Sequence, residues 1–203
     1  MRLLVPAVLL VALVLGGAPR GVAGSPAVVV DAFDQGVFDL FDPSDIEVAR
    51  GGTVRFEFDE GSRSHTATDG TGLDLYDSGV VLPGGPEEVV TFVAAGDYDV
   101  ICSLHSGMDA TVFVPVAVTP STGARGTTLT IRWASVTAAG GLVYDVQLRK
   151  PGAAWKLWRD GVGAKSGTVR ARRVGTWRFR ARLVRPATGA RSAWSETATA
   201  AIA

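Results

Sequence analysis

Three side chains that bind soft metals recur every third residue in one short stretch, from Cys102 through His105 to Met108. Cys102 is the only cysteine, His105 is one of two histidines, and Met108 is the only methionine besides the initiator. Thiolate and thioether are soft ligands, and imidazole suits several transition metals. The spacing therefore predicts a metal site in one loop. The other histidine, His65, is the expected fourth ligand.

Two histidines, one cysteine and a weak axial methionine form the pattern of a type 1, or blue, copper site. Zinc also accepts cysteine and histidine, but structural zinc sites usually add more of these residues rather than methionine. We therefore expect one type 1 copper ion as the cofactor, bound by His65, Cys102, His105 and Met108. The alternative is that the four residues have separate structural roles, such as an inert core cysteine and a gap-filling methionine.

The residues around these ligands predict short strands. Apolar and β-branched residues alternate in six runs separated by turn residues, at 27–30, 46–48, 54–58, 88–93, 98–102 and 111–118. No run has a long helical apolar period, so we predict an all-β sandwich. Tyr98, Val100 and Cys102 share one strand face. If this face is buried, the thiol is shielded from oxidation.

Three segments resemble a cupredoxin of the plastocyanin and amicyanin type, namely Ile46–Phe56, Ser64–Thr66 and Gly96–Met108. The resemblance covers roughly residues 27–118, and the two-residue gap before the methionine is similar to the amicyanin loop. It implies a Greek-key β-sandwich that carries electrons. It also implies that the two histidines and the cysteine are the equatorial ligands and the methionine is the axial one. We do not expect an enzyme, because one domain with two histidines cannot build a further catalytic copper cluster.

Two positions depart from the family pattern. Many cupredoxins have Asn after the first ligand histidine, where it braces the two ligand loops, and this chain has Thr66. A glycine commonly stands two residues after the methionine, where this chain has Ala110. Neither change removes a ligand, but both affect the hydrogen bonding around the ligands, which tunes the metal.

The charge divides the chain into two halves. Residues 25–118 contain 17 Asp or Glu and 3 Arg, a net charge of −14. Residues 119–203 contain 15 Lys or Arg and 3 Asp or Glu, a net charge of +12. The change coincides with the turn-rich segment Val118–Gly123. We therefore predict a cupredoxin domain at 25–118 and a second domain at 119–203.

The second half predicts roughly seven strands, as in an immunoglobulin-like sandwich. Its segments Tyr144–Arg149, Gly175–Arg182 and Ser192–Ser195, together with Trp133, resemble a fibronectin type III domain. That family usually has Tyr where Trp177 stands, and its hydroxyl bonds back to the chain.

Three arginines of this half, Arg178, Arg180 and Arg182, fall on one strand face. We expect Trp194 to stack between their guanidinium groups in a cation–π ladder. Other possibilities are a basic surface for an anionic cell-surface polymer, lipid headgroups or another protein, or a surface that docks on the acidic half.

The N-terminus predicts a signal peptide over residues 1–24. Arg2 precedes an apolar run from Leu3 to Leu15, and small residues follow at 21–24. The run is shorter than the ~20 residues of a membrane span, although an uncleaved anchor is the alternative. We expect an extracellular, cell-surface or periplasmic protein with no transmembrane segment after cleavage.

Three functions are consistent with the sequence. The first is an exported copper electron carrier whose acidic domain meets a basic redox protein, with a basic C-terminal interaction domain. The second is a protein that buffers or delivers copper without relaying electrons. The third is a secreted adhesive module whose cupredoxin-like part has no metal role. Export argues against nucleic acid as a partner of the basic half.

Overall fold

The computed structural model describes residues 26–58 and 61–203, and the predicted signal peptide at 1–24 lies outside them. These two ranges contain seventeen strands and no helix, which confirms the predicted all-β class. Accordingly, the described residues include no helix long and apolar enough to cross a membrane.

Strands β1 to β8 form the two sheets of the first sandwich. One sheet has the order β2-β1-β4-β6 and the other has the order β3-β8-β7-β5. The strands are β1 Val28–Gln35, β2 Phe38–Asp42, β3 Asp45–Glu47, β4 Gly52–Glu57, β5 Thr68–Asp69, β6 Glu88–Phe92, β7 Gly96–Ile101 and β8 Asp109–Val114.

Alternation of side chains packs the core of the first sandwich. Val54 and Phe56 of β4 are fully buried, whereas the residues between them are partly exposed. Tyr98 and Val100 of β7 and Cys102 just beyond it are also buried, as predicted for one strand face. Burying this alternating face is the main source of stability for such a sheet.

Strands β9 to β17 form the second sandwich. One sheet has the order β14-β11-β9 and the other has the order β10-β17-β15-β12-β13, with β16 added at β15. The strands are β9 Ala117–Thr119, β10 Thr122–Gly123, β11 Thr128–Arg132, β12 Val143–Arg149, β13 Lys156–Val162, β14 Ser166–Arg170, β15 Gly175–Arg185, β16 Ala190–Arg191 and β17 Ala198–Ile202. The predicted boundary after Val118 falls inside β9.

The two sandwiches meet along β7 and the loop before it. The amide of Ala95 donates to the carbonyl of Trp133 at 2.7 Å, and Asp97 and Ala193 exchange backbone hydrogen bonds. A side chain at Gly96 does not fit, because a Cβ there would lie 2.2 Å from the hydroxyl oxygen of Ser192. The glycine therefore permits the close approach of the two backbones.

One arginine crosses the same joint. The guanidinium of Arg185, at the end of β15, donates hydrogen bonds to the carbonyl oxygens of Leu73 and Asp74 in the first sandwich. The sequence offered a docking of the basic half on the acidic half as one possibility. The hydrogen bonds of this joint use backbone groups, the hydroxyl of Ser135 and one arginine rather than the strand face that carries Arg178, Arg180 and Arg182.

Candidate metal centre

The loop between β7 and β8 is closed on itself by backbone hydrogen bonds. The amide of Cys102 donates to the carbonyl of Met108 at 3.0 Å, and the amide of Met108 donates to the carbonyl of His105 at 3.3 Å. Gly107 adopts a φ of 85°, which a glycine accepts without steric cost. The tight turn therefore returns Met108 to the strand end at which Cys102 lies.

His65 reaches this loop from a separate segment. Its backbone pairs with Val81 through two hydrogen bonds, of 3.0 Å and 2.9 Å. The segment follows β4 and lies directly before β5, which pairs with β7. The pairing of β5 with β7 thus sets His65 beside the end of the strand that leads to Cys102.

Three of the four predicted ligands converge. One ligand atom from each of His65, Cys102 and His105 lies within 4.8 Å of the other two. The sulfur of Cys102 lies 3.5 Å from Nδ1 of His105, and the centroids of the two imidazole rings are 5.0 Å apart. Met108 is buried at the end of the same loop, and its role as the axial ligand stays a prediction.

The surroundings of His65 indicate whether this cluster fits a metal ion. Its side chain is 1% exposed, and within residues 26–58 and 61–203 neither ring nitrogen has a hydrogen-bond partner. A buried polar atom without a partner is costly. Burial lowers the pKa of His65, and His105 lowers it further against the opposing charges of Asp39 and Asp34. The imidazole is therefore held in the neutral form that binds metals, and a soft ion fits the donor set.

Thr66 supplies the brace between the two ligand segments. Its amide donates to the sulfur of Cys102 at 3.3 Å, and its hydroxyl accepts a hydrogen bond from the amide of Ser103 at 2.7 Å. Thr66 thus connects the segment of His65 to the loop of Cys102, at the position where many cupredoxins have Asn. At the other departure from the family pattern, Ala110 is buried in β8 opposite Val100.

His105 lies at the edge of the cluster. Its side chain is 23% exposed, in contrast to the enclosed His65. Two apolar residues near the cluster, Leu104 in the same loop as His105 and Leu82 next to the pairing partner of His65, are 47% and 68% exposed. Val80, which flanks the pairing partner of His65, is similarly exposed. Apolar surface therefore accompanies the ligand segments at this end of the sandwich.

The sequence prediction missed the acidic residues at the site. They lie on the hairpin of β1 and β2, where Asp34 and Asp39 are directly opposite each other. Asp34 accepts hydrogen bonds from the backbone amides of Ser62 and Arg63, which lower its pKa. These bonds fix the chain just before His65. The sequence contained a weak indication of the second strand, because the apolar residues Phe38 and Leu40 alternate with Asp39 after the turn residue Gly36.

The predicted stacking on Trp194 is found for Arg180 and Arg182, whereas the described residues show no such stacking of Arg178, and a second tryptophan extends the ladder. Arg182 and Arg180 stack on Trp194, with 4.3 Å and 5.0 Å from the guanidinium carbon to the ring centroid. Arg180 also stacks on Trp155 at 4.4 Å, and Arg149 on the same ring at 5.3 Å. The five side chains form a continuous cation–π ladder of alternating charge and ring.

Solved structures similar to this chain are cupredoxins. A reduced Cu(I) form of an amicyanin mutant is 23% identical, covers 45% of this chain and 85% of its own, and has a TM-score of 0.38. A purple cupredoxin from Nitrosopumilus maritimus is 23% identical over 43% of this chain and 98% of its own, with a TM-score of 0.36. A fern plastocyanin mutant is 22% identical over 43% and 99%, with a TM-score of 0.38. No protein-family model and no curated protein matches the chain.

Proposed function

We propose that this protein is an exported copper-binding electron carrier of the cupredoxin type and not an enzyme. The observation that carries the proposal is the convergence of His65, Cys102 and His105, in which both nitrogens of the buried His65 imidazole lack a partner in the part of the chain that the structure describes. The ligand sequence Cys-x-x-His-x-x-Met adds Met108 as the weak axial ligand of a type 1 site.

Copper would supply a one-electron couple between Cu(I) and Cu(II), and the chain would supply the geometry. The closed loop and the Thr66 brace hold the cysteine sulfur and the imidazoles in one arrangement. Ligands held in fixed positions would move little when the copper ion gains or loses an electron. The amide of Thr66 donates to the sulfur of Cys102, which stabilises a thiolate there.

The proposed exit for the electron is the partly exposed imidazole of His105. The other histidine and the cysteine are enclosed, at 1% and 5% exposure. Apolar side chains around the ligand segments, including Leu104 and Leu82, would dock a partner without a strong desolvation cost. We propose a basic redox protein as the partner, because the first half carries 17 acidic residues.

For the second sandwich we propose a fibronectin type III-like interaction domain. Its sheet of β14-β11-β9 and its longer second sheet support that assignment. Arg125, Arg170 and Arg172 surround one shallow surface depression, where they would contact an anionic cell-surface polymer or protein. Arg125 and Arg170 also donate to the carbonyls of Arg172 and Gly126, so this surface is partly ordered.

The test is the visible absorption and paramagnetic resonance spectrum of the full chain loaded with Cu(II). We expect an intense thiolate-to-copper band and narrow hyperfine splitting. Tight copper binding without that band would instead support copper buffering or delivery. Absence of stoichiometric binding would support the adhesive module.

Cys102→Ser is the decisive variant, because the chain has no other cysteine. It should lose the band completely, since serine cannot supply the thiolate. A surviving band would contradict the ligand assignment. The matched control is Ser103→Ala, which changes a neighbouring hydroxyl and should leave the band in place.

A further inference from the structure

The hairpin of β1 and β2 brings one carboxylate to each imidazole of the candidate metal centre. Oδ1 of Asp34 lies 4.0 Å from Nε2 of His65. Oδ1 of Asp39, directly across the hairpin, lies 3.7 Å from Nδ1 of His105. That nitrogen is also the one that faces the sulfur of Cys102 at 3.5 Å. Asp39 therefore faces the proposed ligand atom of His105.

The two carboxylates differ in how they are satisfied. Asp34 accepts hydrogen bonds from Ser62 and from the amide of Arg63. Asp39 pairs through Oδ2 with the guanidinium of Arg63 at 2.9 Å, whereas its Oδ1 is buried and has no hydrogen-bond partner among the described residues. Its side chain is only 12% exposed. A buried carboxylate oxygen without a hydrogen-bond partner is costly, and a positive charge on its side of the carboxylate, in addition to Arg63, would reduce that cost.

A metal ion in the cluster would provide that charge. Cu(II) with one thiolate carries a net charge of +1, and Cu(I) with one thiolate is neutral. A fixed carboxylate nearby favours the charged pair over the neutral one. Arg63 opposes this effect, but its side chain is 40% exposed and therefore more screened by solvent than Asp39.

We propose that Asp39 is a positioning residue of the copper centre, whose carboxylate acts on the metal across the ligand nitrogen of His105 and favours Cu(II) over Cu(I). The inference rests on the proposed copper site and adds a determinant of its reduction potential. The absorption spectrum tests the site itself, and the potential tests the role of Asp39, so the two failures are distinguishable.

The experiment measures the reduction potential of the copper-loaded full chain by spectroelectrochemical titration, with the absorption spectrum recorded for each variant. Asp39→Asn removes the negative charge and keeps the shape. It should raise the potential, equivalent to a rise of roughly tenfold or more in the Cu(I)-to-Cu(II) affinity ratio. Arg63→Gln should lower the potential, because it removes the opposing positive charge.

Asp31→Asn is the matched control. It removes the same charge from the same hairpin, but Asp31 lies on the strand face opposite to that of Asp34. Its neighbour across the hairpin is Asp42. Asp31 is also three residues along the strand from Asp34, so salt at ordinary ionic strength screens its charge from the candidate metal centre. The potential should stay at the wild-type value.

An intact thiolate-to-copper band with an unchanged potential in Asp39→Asn would overturn the inference. Shifts of the same sign in Asp39→Asn and Arg63→Gln would also overturn it, since they would indicate a loosened site rather than opposite charges. If Asp39→Asn does not load copper, the sign of the Arg63→Gln shift decides. A wild-type chain without the band would overturn both the proposed function and this inference.

Discussion

The two sandwiches stabilise the same kind of corner with different aromatic residues. In the first, the hydroxyl of Tyr98 donates to the carbonyl of Ala94 at 2.8 Å. In the second, the indole N–H of Trp177 donates to the carbonyl of Arg173 at 3.0 Å. Both rings are buried and both acceptors lie four residues upstream. The architecture is therefore shared, and an indole performs the task that a phenol performs elsewhere.

The difference between the sandwiches lies in their polar residues. The first collects both histidines and the cysteine at one end, beside two carboxylates of a hairpin. The second half of the chain has no histidine or cysteine, and on one sheet face it stacks three arginines alternately with two tryptophans. Similar sheets thus carry different chemistry, because function depends on local sites rather than on the fold.

The largest expected effect comes from removing the corner rings. Tyr98→Ala and Trp177→Ala should each lower the free energy of unfolding by about 3–5 kcal/mol, because each leaves a cavity in a closed core. Denaturant unfolding of both variants measures the loss. Phe38→Ala is the control, since that ring is 67% exposed and should matter little. If one of the two variants lost less than about 1 kcal/mol of unfolding free energy, the two rings would not be equivalent in stabilising their sandwiches.

A smaller effect should follow from separating the sandwiches. Gly96→Val would force a side chain against Ser192 and should cost about 1–3 kcal/mol. Thermal unfolding should then show two transitions in place of one. Gly163→Val, at a glycine with open space around it, should unfold like the wild type. A single unchanged transition in Gly96→Val would show that the joint does not couple the two halves.

The ladder of the second sandwich should contribute less than either corner. Trp194→Leu keeps apolar bulk and removes the stacking of Arg180 and Arg182, at a cost of about 1–2 kcal/mol. Trp155→Leu should cost a similar amount. Because both rings contact Arg180, the double variant should deviate from additivity in a double-mutant cycle. Strict additivity would mean that the ladder is not one unit.

The smallest effect is a pH dependence at the joint. Burial raises the pKa of Asp97 to about 6, with Glu196 and Asp99 adding to it. A raised pKa in the folded state means that stability falls as the pH rises from about 4 to about 6 and then levels off. Asp97→Asn should lack this fall when unfolding is measured across that range. A fall as steep in the variant would exclude Asp97 as its cause.

Much of the candidate metal centre could be predicted from the sequence, because its predicted ligands are rare residues at a short spacing. The single cysteine, the two histidines and the alternation of Tyr98, Val100 and Cys102 were sufficient to expect their convergence. Likewise, the arginine face of β15 followed from a period of two. Both features depend on residue types and spacings within short segments of the chain.

The hairpin of β1 and β2 could not be predicted in the same way. The sequence prediction ended the first strand at Val30, because Asp31 and Asp34 interrupt the apolar run. In the structure β1 continues to Gln35, since β2 pairs with it and Asp34 accepts backbone hydrogen bonds. Such compensation comes from residues distant in sequence. Trp155 joins the ladder for the same reason, through tertiary contacts alone.

Strand β7 runs from the joint between the two sandwiches to the candidate metal centre. Asp97, the second residue of the strand, is hydrogen-bonded to Ala193 of the second sandwich, and the last residue leads into the loop of Cys102 about 17 Å away. The candidate metal centre and the joint are therefore at opposite ends of one strand. A second sandwich attached to a surface would leave His105 pointing outward, free to meet a partner while the molecule remains tethered.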